Sequence, residues 1–259
     1  MAILKVDNIT KTFGGLTALN SLSFKIAPNS IHGLIGPNGS GKTTFFNIIT
    51  GFYRATAGNI LFCNEPLNRL RPFEINARGI ARTFQHIGLF KEMTVLENVI
   101  VGRHCRTKAG LFGSIFKWPA VKREEQQIRR KAVEILELVT TGRGDINENA
   151  LAGNLSYGRQ RLLEIARALA SEPKLVLLDE PAAGMNPTEK DELMQIIYQM
   201  RDDGITVLFV EHDMKLAMTI ADRITVLDHG TKIAEGTAKE VQSNPQVMEA
   251  YLGMRKGHA

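Results

Sequence analysis

The sequence predicts an α/β fold: a core of parallel strands buried on both faces, a small antiparallel β layer beside it, and a separate helical layer. Three observations carry this prediction. Lys174-Leu175-Val176-Leu177-Leu178 and Thr206-Val207-Leu208-Phe209-Val210 are continuous apolar runs with β-branched members, as expected of parallel strands without a solvent face. Between them, Asn186-Pro187-Thr188-Glu189 supplies an N-cap, a proline at the first helical position and a glutamate three residues after the cap. Leu193, Ile196, Ile197 and Met200 follow at helical spacing, and Gly204 closes the helix. Strand, helix and strand make a right-handed crossover unit. The third observation is the glycine-rich stretch Gly36-Pro37-Asn38-Gly39-Ser40-Gly41-Lys42-Thr43, set between the apolar run Ile31-His32-Gly33-Leu34-Ile35 and a helical face of Phe45, Phe46, Ile48 and Ile49 that ends at Gly51.

In chain order, Leu4 and Val6, then Leu22, Phe24 and Ile26, then Ile60 and Phe62 alternate as antiparallel strands do. From about residue 92 to residue 170 the pattern becomes helical and charged, with Ile128, Val133, Leu136 and Val139 as an inward stripe. Residues 103–118 depart from it through Gly110, Gly113 and bulky apolar side chains. They read as an insertion whose Phe112, Ile115, Phe116 and Trp118 face either a partner or their own helical layer. Near the end, Arg223-Ile224-Thr225-Val226-Leu227 and Lys232-Ile233-Ala234 flank Asp228-His229-Gly230-Thr231 as a closing hairpin.

With 259 residues, 44% hydrophobic and 23% charged, the composition suits one large globular domain or two modest ones. It contains no apolar stretch of about 18 residues and no basic start followed by a long apolar segment, so a protein neither membrane-spanning nor secreted is expected. Cys63 and Cys105 match no metal-ligand spacing and read as free thiols. The net charge of +5 is too diffuse to select nucleic acid or an anionic membrane as a partner.

The residue types in the glycine-rich stretch fit the pattern GxxxxGK[ST]. Glycines allow successive backbone N–H groups to turn toward phosphate oxygens, and the helix that follows adds the positive end of its dipole. Lys42 then neutralises β/γ charge, and the Thr43 hydroxyl can hold Mg²⁺. Asp179 and Glu180 end the apolar strand run at 175–178, at the sheet edge where ligands bind. One carboxylate there can hold the metal, directly or through water, and Glu180 can polarise the water that attacks the γ-phosphate. Leu155-Ser156-Tyr157-Gly158-Arg159-Gln160 precedes a helix with the apolar face Leu162, Ile165, Ala166 and Leu169. Ser156 and free N–H groups at that terminus form a second anion site. A single triphosphate rarely needs both, so the second suits a nucleotide held by another copy or a related subunit; an N-cap role alone also accounts for Ser156.

Taken together these residues resemble the ATP-binding cassette (ABC) family over essentially the whole chain. The resemblance implies a P-loop NTPase ABC ATPase fold with a RecA-like core, an antiparallel β subdomain and an α-helical subdomain. By it, residues 1–86 and 171–235 form the nucleotide-binding core with the β subdomain, 87–170 the helical subdomain and 236–259 a C-terminal helical tail of one ABC ATPase domain. It implies ATP and Mg²⁺ as cofactors. Gly36, Pro37, Asn38, Gly39, Ser40, Gly41, Lys42, Thr43 and Thr44 would hold the phosphates, Phe13 would stack on adenine, and Thr43, Gln85 and Asp179 would serve the metal. Lys42, Glu180 and the switch histidine His212 would be catalytic. Gln85, in Arg82-Thr83-Phe84-Gln85, is the Q-loop glutamine by the same resemblance. Ser156 and Gly158 would approach the nucleotide of a paired cassette.

Three positions depart from the family pattern. Tyr157 replaces a signature glycine, Arg159 replaces its glutamine, and Asn186 stands at the aspartate position of the D-loop, where its N-cap role suffices. Within the family, the stretches Arg82-Thr83-Phe84-Gln85-His86-Ile87-Gly88-Leu89-Phe90, Asp179-Glu180-Pro181-Ala182-Ala183-Gly184-Met185-Asn186-Pro187 and Ala250-Tyr251-Leu252-Gly253 are similar to the ATP-binding subunits of branched-chain amino acid importers. Such a subunit works with two integral-membrane permeases and a second ABC ATPase subunit, a different chain or a second copy. It serves a periplasmic or extracellular substrate-binding protein indirectly, and binds no nucleic acid. Its place is peripheral, on the cytoplasmic side of the inner membrane. A urea or amide importer cassette, a lipopolysaccharide-export cassette and a soluble ATPase of the iron–sulfur assembly type share this chain length and remain alternatives.

Overall fold

A computed structural model describes residues 1–103, 119–140 and 147–252. Strands β1 (Leu4–Phe13), β2 (Leu16–Ile26) and β3 (Ile31–Ile35) lead into helix α1 (Lys42–Ile49). Then come β4 (Ala57–Phe62), β5 (Glu65–Pro66), α2 (Pro72–Ala77) and β6 (Ile80–Arg82). Helices α3 (Val95–Gly102), α4 (Pro119–Val139) and α5 (Tyr157–Leu169) follow. The chain then returns through β7 (Leu175–Asp179), α6 (Pro187–Asp202), β8 (Thr206–Val210), α7 (Met214–Ile220), β9 (Arg223–Asp228), β10 (Thr231–Gly236), α8 (Ala238–Gln242) and α9 (Pro245–Leu252).

The strands form two sheets. One is antiparallel in the order β2-β1-β4-β5; the other runs β10-β9-β3-β8-β7-β6, parallel from β9 to β6, with β10 added antiparallel through the predicted hairpin. His229 (φ 44°) and Gly230 (φ 78°) form the hairpin turn, the left-handed pair that matches the twist of two joined strands. The central strands are apolar on both faces because each face has its own core. Val176, Leu178, Val207 and Phe209 enter a cluster with α5, α6 and α7, while Leu175, Leu177, Leu208 and Val210 enter one with α1 and the antiparallel sheet. Alternation of period two therefore divides a continuous apolar run between two cores.

The helical layer buries Ala132, Leu136 and Val139 of α4 against α3 and α5, and the predicted Val133 and Ile128 are half-buried. Asn186 caps α6 as predicted, accepting from the Glu189 N–H at 3.0 Å while the Glu189 carboxylate accepts from the Asn186 N–H at 3.0 Å. Thr94 and Glu97 make the same reciprocal arrangement at α3. Phe112, Ile115, Phe116, Trp118 and Cys105 lie outside the described residues; Cys63 is a free, exposed thiol.

Candidate nucleotide site

The loop between β3 and α1 is shaped by what its glycines exclude. A Cβ on Gly36 would stand 2.1 Å from the Leu227 carbonyl oxygen, and one on Gly41 would stand 2.6 Å from that of Ala18. Both have positive φ, 153° and 102°, which L side chains disfavour. Gly39, also at positive φ, has open space beside it. Lys42 folds its ammonium back under the loop, donating to the Gly36 and Pro37 carbonyls at 2.7 Å each. Burial lowers its pKa to about 8, opposed by the charges of Glu180 and Asp179. The Phe45 N–H bonds the Gly41 carbonyl at 2.9 Å, so the N–H groups of Lys42, Thr43 and Thr44 precede the helical ladder and are available to an anion. Free amides and a buried ammonium, in a loop whose Gly36 and Gly41 leave no room for a Cβ, fit a polyphosphate.

Above the loop lies a cavity of about 950 Å³ lined by Phe13, residues 38–44, Gln85, Glu180, His212 and His229. Phe13 ends β1 with an exposed ring, flanked edge-on by Tyr53 at 5.3 Å and by the Lys11 ammonium 4.6 Å from its centre. Partly exposed at the cavity wall, the ring offers aromatic surface on the side away from Lys11. Opposite, the Glu180 carboxylate uses both oxygens: Gln85 Nε2 donates to one at 3.1 Å, and His212 Nε2 pairs with the other at 2.5 Å. Glu180 has φ 48°, a left-handed conformation unusual for a residue with a long side chain.

Asp179 does not line this cavity. It lies buried beneath it, paired with Arg82 Nη2 at 2.8 Å. Arg82 also donates to Asn47 Oδ1 at 2.8 Å and Thr50 Oγ1 at 3.1 Å, and its guanidinium lies over the rings of Phe46 and Phe84. Asp179 thus has a cationic partner and a fixed orientation beside Thr83, whose hydroxyl accepts from the Asp179 N–H at 3.4 Å. The sequence reading omitted Arg82 from this site, although an arginine ending an apolar strand three residues before Gln85 was a usable signal.

Ser156 and Gly158 also lie away from the cavity. Ser156 caps α5, accepting from the Arg159 N–H at 3.4 Å, and is exposed. Gly158 is buried against α6, where a Cβ would meet Glu189 Oε1 at 2.2 Å. The two signature departures touch the same region: the Tyr157 ring packs on Gly184, and Arg159 pairs with Glu192 at 3.5 Å. Further along α5, buried Arg161 donates to the carbonyls of Phe84, at 2.6 Å, and Gln85. Glu164 pairs with Arg161 at 3.2 Å and accepts from the Phe84 and Gly88 N–H groups at 3.5 and 3.4 Å. Arg167 donates to the Gly88 carbonyl at 2.6 Å. Burial pushes the Glu164 carboxyl up; these amides and cations pull it back. The backbone around Gln85 is therefore fastened to the helix that Ser156 caps. Sequence reasoning missed these three residues, whose i, i+3, i+6 spacing borders the apolar face of α5.

Fold and site together define a P-loop nucleotide-binding cassette. Residues 19–183 match the ABC transporter family, and residues 231–253 match the family described as branched-chain amino acid ATP-binding cassette transporter. This chain belongs to the ABC transporter family. It is 45% identical over 252 residues to the high-affinity branched-chain amino acid transport ATP-binding protein LivG of Escherichia coli (strain K12), covering 97% of this chain and 98% of that protein. With the corresponding protein BraF of Pseudomonas aeruginosa it shares 44% over 254 residues, covering 97% and 98%. Among solved structures, a nucleotide-free ATP-binding cassette from an ABC transporter superposes with a TM-score of 0.83 at 37% identity, covering 97% of this chain and 99% of that one. A dimeric post-hydrolysis cassette bound to ADP and Pi gives 0.75 at 28% identity, covering 91% and 98%.

Proposed function

We propose that this chain is the ATP-binding and ATP-hydrolysing subunit of an importer for branched-chain amino acids. The observation that carries the catalytic reading is Glu180, held between Gln85 and His212 at the cavity over the P-loop. Relatives that carry branched-chain amino acid transport in their names, matched along nearly the whole chain, support the substrate class.

ATP supplies the phosphoanhydride bond whose cleavage releases energy. Phe13 offers the stacking face for the base. The amides of residues 39–44 and the Lys42 ammonium hold the phosphates and stabilise charge that develops on them. Thr43 and Gln85, which line the cavity, would hold Mg²⁺ directly, and Asp179, buried and paired with Arg82, would serve it through water: a hydroxyl, an amide oxygen and a carboxylate are the hard oxygen donors this ion takes. Glu180 accepts the proton of the attacking water, and His212 orients the Glu180 carboxylate and donates toward the γ-phosphate. Ser156 and the free amides of α5 serve the nucleotide of a paired cassette, a related chain or a second copy; a solved relative is dimeric.

In this reading residues 1–86 and 171–235 bind nucleotide, residues 87–170 face two membrane permeases, and residues 236–259 form a tail. No helix of the described residues is long and apolar enough to cross a membrane, and the chain attaches peripherally, through those permeases, to the cytoplasmic face. Affinity purification of tagged Glu180→Gln protein from gently solubilised membranes with ATP tests the assembly. The expected result is two polytopic permeases and a second cassette, with ATP binding retained and turnover reduced at least about 100-fold. Recovery of soluble partners alone, or unchanged turnover, would overturn it.

A further inference from the structure

Glu211 precedes His212 at the end of β8 and is 4% exposed. Its carboxylate reaches across to the neighbouring turn: Oε1 accepts from the Ala182 N–H at 2.8 Å, and Oε2 accepts from the His212 N–H at 3.2 Å. Those amides belong to the two turns that carry the reacting side chains. Ala182 lies two residues beyond Glu180, and the Glu180 N–H itself bonds the Val210 carbonyl at 3.0 Å. Glu180 is the residue at φ 48°, a conformation that persists only where surrounding bonds over-determine it. The parallel ladder of β7 and β8 stops at Asp179 and Val210. Beyond that point these bonds across the turns hold the geometry, and the His212–Glu180 contact depends on it.

We propose that Glu211 is a positioning residue for ATP hydrolysis, a carboxylate rivet that fixes the left-handed Glu180 turn against the His212 turn and so sets the alignment of the two side chains. This rests on the catalytic reading of Glu180 and His212. It adds a residue that does not line the nucleotide cavity. Glutamine at position 211 keeps the shape but has one acceptor oxygen where the carboxylate has two, and its NH₂ cannot accept. At least one of the backbone amides it holds, those of Ala182, His212 and Asp213, therefore loses its partner, and its turn relaxes.

The test is a double-mutant cycle of Glu211→Gln and His212→Ala, read by single-turnover ATP hydrolysis together with nucleotide affinity. Glu211→Gln alone should slow the chemical step about tenfold or more with the nucleotide Kd unchanged, as expected when an interaction serves only the transition state. In the His212→Ala background it should add less than about twofold, because both changes act on one alignment. Full-rate hydrolysis by Glu211→Gln, losses that multiply in the double variant, or a fall in affinity matching the fall in rate would each overturn the proposal. Should Glu211→Gln fail to fold, Glu211→Asp, with both acceptors on a shorter stem, takes its place in the cycle with the same expectations. Absence of turnover in the wild-type protein would instead remove the catalytic reading itself, so the two failures are distinguishable.

Discussion

The P-loop and the Q-loop border the same cavity and are held in place by different means. The P-loop is shaped by backbone: glycines at positive φ, carbonyls of Leu227 and Ala18 where a Cβ would stand, and a buried ammonium on two carbonyls. The backbone around Gln85 is held by charged side chains from another element, Arg161, Glu164 and Arg167 of α5. A backbone-built site has one shape and little tolerance. A site held by ion pairs can move as a unit with the helix that supplies them.

The sharpest way to break this comparison is Gly41→Ala. The new Cβ would meet the Ala18 carbonyl at 2.6 Å in a backbone conformation that alanine disfavours. Strain and overpacking together cost about 3 kcal/mol or more. Calorimetric titration should show nucleotide affinity lowered at least about 100-fold, whereas Gly39→Ala, with open space beside it, should lose about tenfold or less.

The Q-loop side responds differently. Arg161→Met leaves the buried Glu164 carboxylate with Arg167, at 4.0 Å, as its remaining cation, and denaturant unfolding should show a loss of about 3 kcal/mol. Adding Glu164→Gln removes the under-compensated charge and should recover part of that loss. Nucleotide affinity should change far less than in Gly41→Ala; equal losses of affinity would mean that the two loops are held in the same way.

The smallest effect is pH-dependent and belongs to the one charged group of the P-loop. The folded-state pKa of Lys42 is lowered to about 8 by burial, so its charge, and with it nucleotide affinity, declines as pH rises through about 8. A titration from pH 7 to 9.5 should show binding weaken several-fold. The sign for stability is the reverse: the cost of burying the ammonium is present below pH 8 and is relieved between pH 8 and the ordinary lysine range.

Local signals made much of this legible. The P-loop, the caps at Ser156 and Asn186, the closing hairpin and the β7–α6–β8 unit are each written within about a dozen residues or as one strand–helix–strand pattern. What escaped was pairing at a distance. Arg82 meets Asp179 97 residues away, and Arg161 meets the Phe84 carbonyl 77 residues away. A charged residue inside an apolar pattern announces a partner without saying which one. The alternation that identifies β1 and β2 is also interrupted by register shifts between Val6 and Ile9 and between Ile9 and Lys11, with Asn8 and Ser21 at positive φ, so parity in the sequence cannot assign every side chain to a face.

The order of the central sheet bears on how the protein is made. β3, which delivers the chain into the P-loop, pairs His32 with Leu208 on one side and Arg223 on the other. A ribosome adding about 5–20 residues per second needs roughly 9–35 s to pass from His32 to Leu208. Throughout that interval the strand beneath the nucleotide loop has neither neighbour, and its apolar edges are open to chaperones. Competence for ATP therefore arrives late in synthesis, when β8 and β9 close on β3 from both sides.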